Sequence, residues 1–145
     1  MLAASACGLF FTLWAAAPSF GHAEELRRVA AFLSANLRPS ERLFSYRTYP
    51  QTLPVYLRRT MGVAVFRGEL AFGVGRLNEE ARRARFPDAK EFAALWDSPE
   101  RIFCVTDDSA LAHLGEDGIS HAYTVLRAGK MLLITNQPWD SGAGD

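Results

Sequence analysis

Tyr46, Arg47, Thr48, Tyr49 and Gln51 crowd together in a chain of 145 residues, and they offer phenol, guanidinium, hydroxyl and amide groups. That set can hold a polar ligand, but it contains no nucleophile paired with a base. Its setting sharpens the expectation. The stretch 43–59, LFSYRTYPQTLPVYLRR, opens with a run at Leu43, Phe44, Ser45 and Tyr46 that suits a buried strand. It resumes as a helical turn, because Leu53, Tyr56 and Leu57 fall at i, i+3 and i+4 and share a face. Pro50 is tolerated at a helix start, where the first N–H groups have no intrahelical partner, and Pro54 keeps the helix short. The polar groups therefore fall at the carboxyl end of a strand, where open α/β sheets take their ligands. The other reading is an ordinary strand–helix corner whose tyrosines pack.

Elsewhere the chemistry is thinner. Arg76, Arg82, Arg83 and Arg85 share a charge-dense run with Glu79 and Glu80, and either meet lipid phosphates or form a solvated face. Asp107 and Asp108 close a buried run, and either serve as acids or ligands or supply a helix cap. Nothing in the spacing of Ser45, Ser109 and His113 favours a Ser/His pair. There is no dinucleotide-binding glycine pattern, P-loop, nucleophile elbow or H-E-x-x-H helix. The three histidines are scattered and the two cysteines, Cys7 and Cys104, lie far apart, so no metal site is expected. No catalytic residue, metal or cofactor is assigned to this chain. Lys+Arg and Asp+Glu both number 16, so no net field recommends nucleic acid as a partner.

The elements that must position these groups alternate. Residues 24–37 form an amphipathic helix on Leu26, Val29, Ala30, Leu33 and Leu37, stopped by Pro39. After strand 43–46 and its short helix, residues 61–66 read as a strand covered on both faces. Residues 70–74 read as a second short strand or extended loop, and 76–86 as an exposed helical turn or loop. Asp88 and Glu91 occupy capping-box positions for a helix that buries Phe92, Leu95 and Trp96. Residues 101–106 form a buried strand with Cys104 as a small core residue, and residues 109–114 a helix closed by Gly115. Two strands, 123–126 and 131–135, are joined by a turn containing Gly129. This order predicts an α/β fold: a small three-layer-type sandwich with a largely parallel sheet and an antiparallel edge hairpin. The domain spans 22–138, and 139–145 is expected to be a disordered tail.

Residues 1–21 carry no charged side chain and are about as long as a bilayer span. Three readings compete: a transmembrane helix, a signal-like segment cut near Gly21-His22-Ala23, and a buried helix. No Lys or Arg precedes the apolar run, which weakens the signal-peptide reading.

The run Tyr49-Pro50-Gln51-Thr52-Leu53-Pro54-Val55-Tyr56-Leu57 brings the readings together. With residues 67–73 (RGELAFG), 86–96 (FPDAKEFAALW) and 131–136 (MLLITN), it resembles the carboxyl-terminal soluble domain of bacterial polyprenyl-phosphate-sugar-dependent glycosyltransferases. These are the integral-membrane enzymes of the GT-C class related to aminoarabinose transferases of lipid A and protein O-mannosyltransferases. The resemblance covers about residues 18–136. It implies that 1–21 is the last of a set of membrane helices, that the domain lies on the periplasmic side of the inner membrane, and that the substrate is a lipid-linked sugar. It implies too that the catalytic carboxylate and the carrier cavity belong to a membrane half absent from this chain, which would then be a fragment of the enzyme. Tyr46, Arg47, Tyr49 and Gln51 are expected to face that cavity, and Arg76, Arg82, Arg83 and Arg85 to approach lipid phosphates. The competing expectation is a free-standing secreted or tethered binding module without catalytic activity.

Overall fold

The computed structural model describes residues 22–66 and 68–140. The apolar run 1–21 and the last five residues lie outside them, and so do the expectations placed on those segments. No helix among the described residues is long and apolar enough to cross a membrane.

Residues 22–36 are helical (α1), and the expected stripe is what they bury: Leu26, Val29, Ala30 and Leu33 are all nearly inaccessible. The chain turns at Pro39 into β1 (Arg42–Tyr46), passes through α2 (Leu53–Leu57), and returns as β2 (Gly62–Ala64). A 3-10 turn (Gly68–Leu70), α3 (Ala71–Val74), α4 (Glu79–Arg85) and α5 (Ala89–Trp96) follow. The chain ends in β3 (Ile102–Asp107), α6 (Asp108–Leu111) and the hairpin β4 (Tyr123–Ala128) and β5 (Met131–Thr135).

The strands form one sheet in the order β2-β1-β3-β5-β4. β2, β1 and β3 are parallel, while β5 runs antiparallel to both β3 and β4. Strand β1 lies between β2 and β3, so its consecutive side chains feed two cores. Leu43 packs with Phe103, Val105 and Leu133 under α1 and α2. Phe44 and Tyr46 pack on the other face with Phe92, Trp96 and Cys104 beneath α5 and α6. These are the three layers that the alternation of elements predicts. Gly62 fits because a side chain there would overlap the Phe44 ring.

One element is corrected. Residues 70–74 form helix, not strand or extended loop. β2 ends at Ala64, where Val65 takes a φ of 57°, and the segment's amides then bond locally, Gly75 N–H to Ala71 O and Leu77 N–H to Val74 O. Only Val74 of α3 is buried, so there is no apolar face for a sheet to claim. Residues 76–86 contain a two-turn helix, α4, capped by the Asn78 side chain accepting from Ala81 N–H at 2.8 Å. Trp139, expected to belong to a frayed tail, instead packs edge-on against Phe32 and Phe103.

The start of α1 can be placed along the sheet. Glu25 Oε1 accepts from Lys130 N–H at 3.3 Å, in the β4–β5 turn, and Met131 pairs with Asp107 at the end of β3. Residue 22 therefore lies near the carboxyl edge of the parallel strands, the same edge from which residues 47–52 and 65–77 leave β1 and β2.

Candidate functional site

Tyr46 and Arg47 end β1, and the chain reverses sharply there because Arg47 adopts the left-handed region with φ 53°. A non-glycine residue in that region needs compensation of about 1–2 kcal/mol from its surroundings. Asp117 supplies it. Arg47 Nε and Nη2 donate to Asp117 Oδ2 and Oδ1 at 2.9 and 3.0 Å, a bidentate pair, and the Tyr46 hydroxyl donates to Oδ2 at 2.5 Å. The guanidinium also lies over the Tyr46 ring, 5.9 Å from its centroid.

The electrostatics follow from this geometry. Arg47 holds the Asp117 carboxyl below the usual carboxylate range, and Tyr46 assists. Burial, then the hydrogen bond to Asp117, pushes the Tyr46 phenol upward, so it remains a proton donor. The clamp joins positions 70 residues apart and fixes the loop between α6 and β4 beside the end of β1. Thr106 Oγ1 adds a bond to Tyr46 O at 3.3 Å from the adjacent strand.

The candidate residues thus divide. Tyr46 is fully buried, stacks on Phe92 and takes the packing role that the corner reading gives it. Arg47 and Tyr49 are half-buried and Gln51 is exposed, so these three carry the outward surface of the corner. The arginines divide too. Arg82 bonds both Glu79 and Glu91, and Arg83 lies within ion-pair distance of the same two carboxylates. Arg82 and Arg83 in turn lower Glu79 to about 2. Arg76 instead lies over the Phe72 ring, 4.3 Å from its centroid, and Arg85 is exposed.

The acids at the end of β3 resolve into structure. Asp107 caps α6, accepting from Ala110 N–H at 2.9 Å and from the Ser109 hydroxyl at 2.5 Å. Asp108 pairs with Arg127 at 2.9 Å on the surface. His113 contacts Glu116, 2.8 Å away, and the described residues hold no group of three or more His, Cys, Asp or Glu able to bind a metal ion. Cys104 is fully buried, and burial pushes its thiol upward. A cavity of about 760 Å³ opens at the other end of the sheet, between the end of α1, Glu41, Arg101 and Trp139.

This corner, on this sheet, can be set against known proteins. Residues 29–136 match the family described as the aminoarabinose transferase C-terminal domain. The chain belongs to that family. The crystal structure of ArnT from Cupriavidus metallidurans bound to undecaprenyl phosphate is similar at 26% identity and a TM-score of 0.66, over 86% of this chain and 21% of that one. ArnT from Cupriavidus metallidurans in the apo state shares the fold, at 23% identity and a TM-score of 0.63, over 79% of this chain and 20% of that one. The chain thus spans about a fifth of the length of these structures. No curated protein matches it.

Within the aminoarabinose transferase C-terminal domain, the residue that sequence reasoning missed is Asp117. It sits in Gly115-Glu116-Asp117-Gly118, which reads as turn chemistry, and only the fold brings it to Arg47. Asn136, directly after β5, acts as a staple. It accepts from Ile102 N–H and donates to the carbonyls of Trp96 and Glu100, each at 2.9 Å.

Proposed function

We propose that this chain serves as the periplasmic C-terminal domain of an inner-membrane glycosyltransferase. The enzyme transfers a sugar from an undecaprenyl-phosphate carrier to a lipid A-like or protein acceptor. The observation that carries the reading is the family match over residues 29–136, supported by the similarity to a structure of ArnT bound to undecaprenyl phosphate. The bond-making groups lie outside the domain, in the membrane half of the enzyme. The domain's part is to present the corner 47–52: Arg47, Tyr49 and Gln51 face the cavity where the carrier lipid and acceptor meet, while Tyr46 and Asp117 hold the corner in shape. The left-handed backbone at Arg47, pinned by Asp117 from 70 positions away, supports a positioning role, because such conformations persist only where their surroundings over-determine them. The run 1–21 supplies the last membrane helix in this reading.

A chimera tests it. Residues 22–140 replace the matching segment of an ArnT that accepts undecaprenyl-phosphate-linked aminoarabinose, and modification of lipid A is read by mass spectrometry. The chimera is expected to retain transfer, and Tyr49→Ala with Gln51→Ala to reduce it while leaving membrane insertion and the domain's folding intact. A chimera that inserts and folds but transfers nothing removes the proposal.

A further inference from the structure

We propose that Phe72 and Arg76 form a wedge that engages an anionic phospholipid surface, with the phenyl ring entering the acyl boundary and the guanidinium meeting lipid phosphates. Phe72 is 73% exposed, on a helix that is attached to the body of the domain through Val74. A side chain added at Gly73 would meet nothing within 4 Å, so the tip projects on that side as well. Arg76 extends over the ring from one turn further on, and Leu77 adds partly exposed apolar surface beside it. An aromatic ring and a cation side by side, both open, are the two halves of an interfacial anchor: one is driven out of water and the other is drawn to phosphate.

Charge separates this pair from its neighbours. Arg82 and Arg83 are committed to Glu79 and Glu91, whereas Arg76 meets no carboxylate within ion-pair distance among the described residues. Position supplies the second argument. The segment leaves β2 at the carboxyl edge of the sheet, and α1 begins at the same edge through the Glu25–Lys130 contact. The 21 uncharged residues that precede α1 therefore join the domain at the same edge of the sheet from which the wedge segment departs. The wedge rests on the membrane reading of the run 1–21 given above, and not on what the corner 47–52 faces.

The full chain, inserted in vesicles, tests this by local depth, since the apolar run 1–21 can hold the protein on any bilayer. Cys7→Ser removes one thiol, Cys104 is buried, and Gly73→Cys carries an environment-sensitive fluorophore beside an intact Phe72 and Arg76. Glu100→Cys, exposed at the opposite end of the sheet, carries it as a control. In phosphatidylethanolamine–phosphatidylglycerol vesicles the label at 73 is expected to shift to the blue and to resist an aqueous quencher roughly threefold better than the control. In phosphatidylcholine, or with Arg76→Glu or Phe72→Ser, it should be quenched as freely as the control. Equal quenching at both positions in anionic vesicles overturns the proposal. So does equal protection in both lipids. Protection that appears only when a membrane half of the enzyme is co-reconstituted assigns the surface to protein contact and overturns it too.

Discussion

The two ends of the parallel strands are closed by different means. At the amino end, Asn136 reaches the backbone of Trp96, Glu100 and Ile102, and the Arg59 guanidinium donates to the carbonyls of Arg38, Pro39 and Glu41. Those bonds end on backbone, and Asn136 is almost wholly buried. At the carboxyl end the closure runs between side chains, Tyr46 and Arg47 to Asp117, and the guanidinium keeps one side toward solvent. A neutral, buried staple such as Asn136 specifies one geometry and turns no polar group of its own toward solvent. A charged clamp at the surface holds a strained turn while keeping polar groups within reach. The contrast separates a structural end from a presenting end, although both depend on one short polar side chain far away in sequence.

The contrast predicts that the larger loss of stability comes from the amino end. Asn136→Leu removes four side-chain bonds and takes a partner from the Ile102 N–H and from the carbonyls of Trp96, Ser98 and Glu100. The expected cost is about 3 kcal/mol, since each orphaned buried group carries a penalty beyond the lost bond. Urea unfolding, with the slope unchanged and the midpoint lowered, measures it. A loss no greater than that of Asp117→Asn would erase the distinction.

Asp117→Asn should cost about 2 kcal/mol at neutral pH, as the pair becomes a neutral contact and the guanidinium loses its counter-charge. It should also change the pH dependence. Arg47 lowers the folded Asp117 below its unfolded value, so the contribution is complete above about pH 4 and fades as pH falls through the folded value. The wild-type chain therefore loses more stability than Asp117→Asn on acidification through that range. Asn136→Leu should run parallel to wild type. Equal acid slopes for wild type and Asp117→Asn would show that the clamp's charge contributes nothing.

Much of the fold is legible in residue order, and the reasons are local. The stripe of α1, the capping box of Asp88 and Glu91, and the glycine turn before β5 are each set by neighbours within a few positions. The alternation of elements also gives the layers. Residues 70–74 misled because apolar Leu70, Phe72 and Val74 alternate as in a strand, yet only Val74 finds a core. At the site, strand end and helix start locate the corner, but its closure is invisible: Asp117 lies 70 positions from Arg47 in a turn-like context. Four arginines close together in sequence likewise look equivalent until the fold gives two of them to Glu79 and Glu91.

The backbone at Arg47 sharpens the carboxyl-end half of the contrast. Arg47→Ala loses the pair with Asp117 and keeps a side chain in a left-handed conformation, whereas Arg47→Gly loses the same pair and relieves the conformation. The glycine variant should therefore be the more stable of the two by about 1 kcal/mol, the reverse of the order expected in a helix or strand. Equal stabilities would mean that the corner relaxes once the clamp is gone.

The smallest effect is expected where arginine and carboxylate are most conspicuous. Arg83 bonds Glu79 at 2.9 Å and approaches Glu91 at 3.2 Å, but it is largely exposed and Arg82 already satisfies both carboxylates. Holding a long exposed side chain in place offsets most of what such a pair returns, and salt screens the rest. Arg83→Ala should leave the urea midpoint where it is, at low and at high salt. Arg47→Ala should lower it at both, because the clamp joins two segments that nothing local holds together. If Arg83→Ala proved as costly as Arg47→Ala, the bond count and not the sequence separation would govern what an ion pair contributes to this domain.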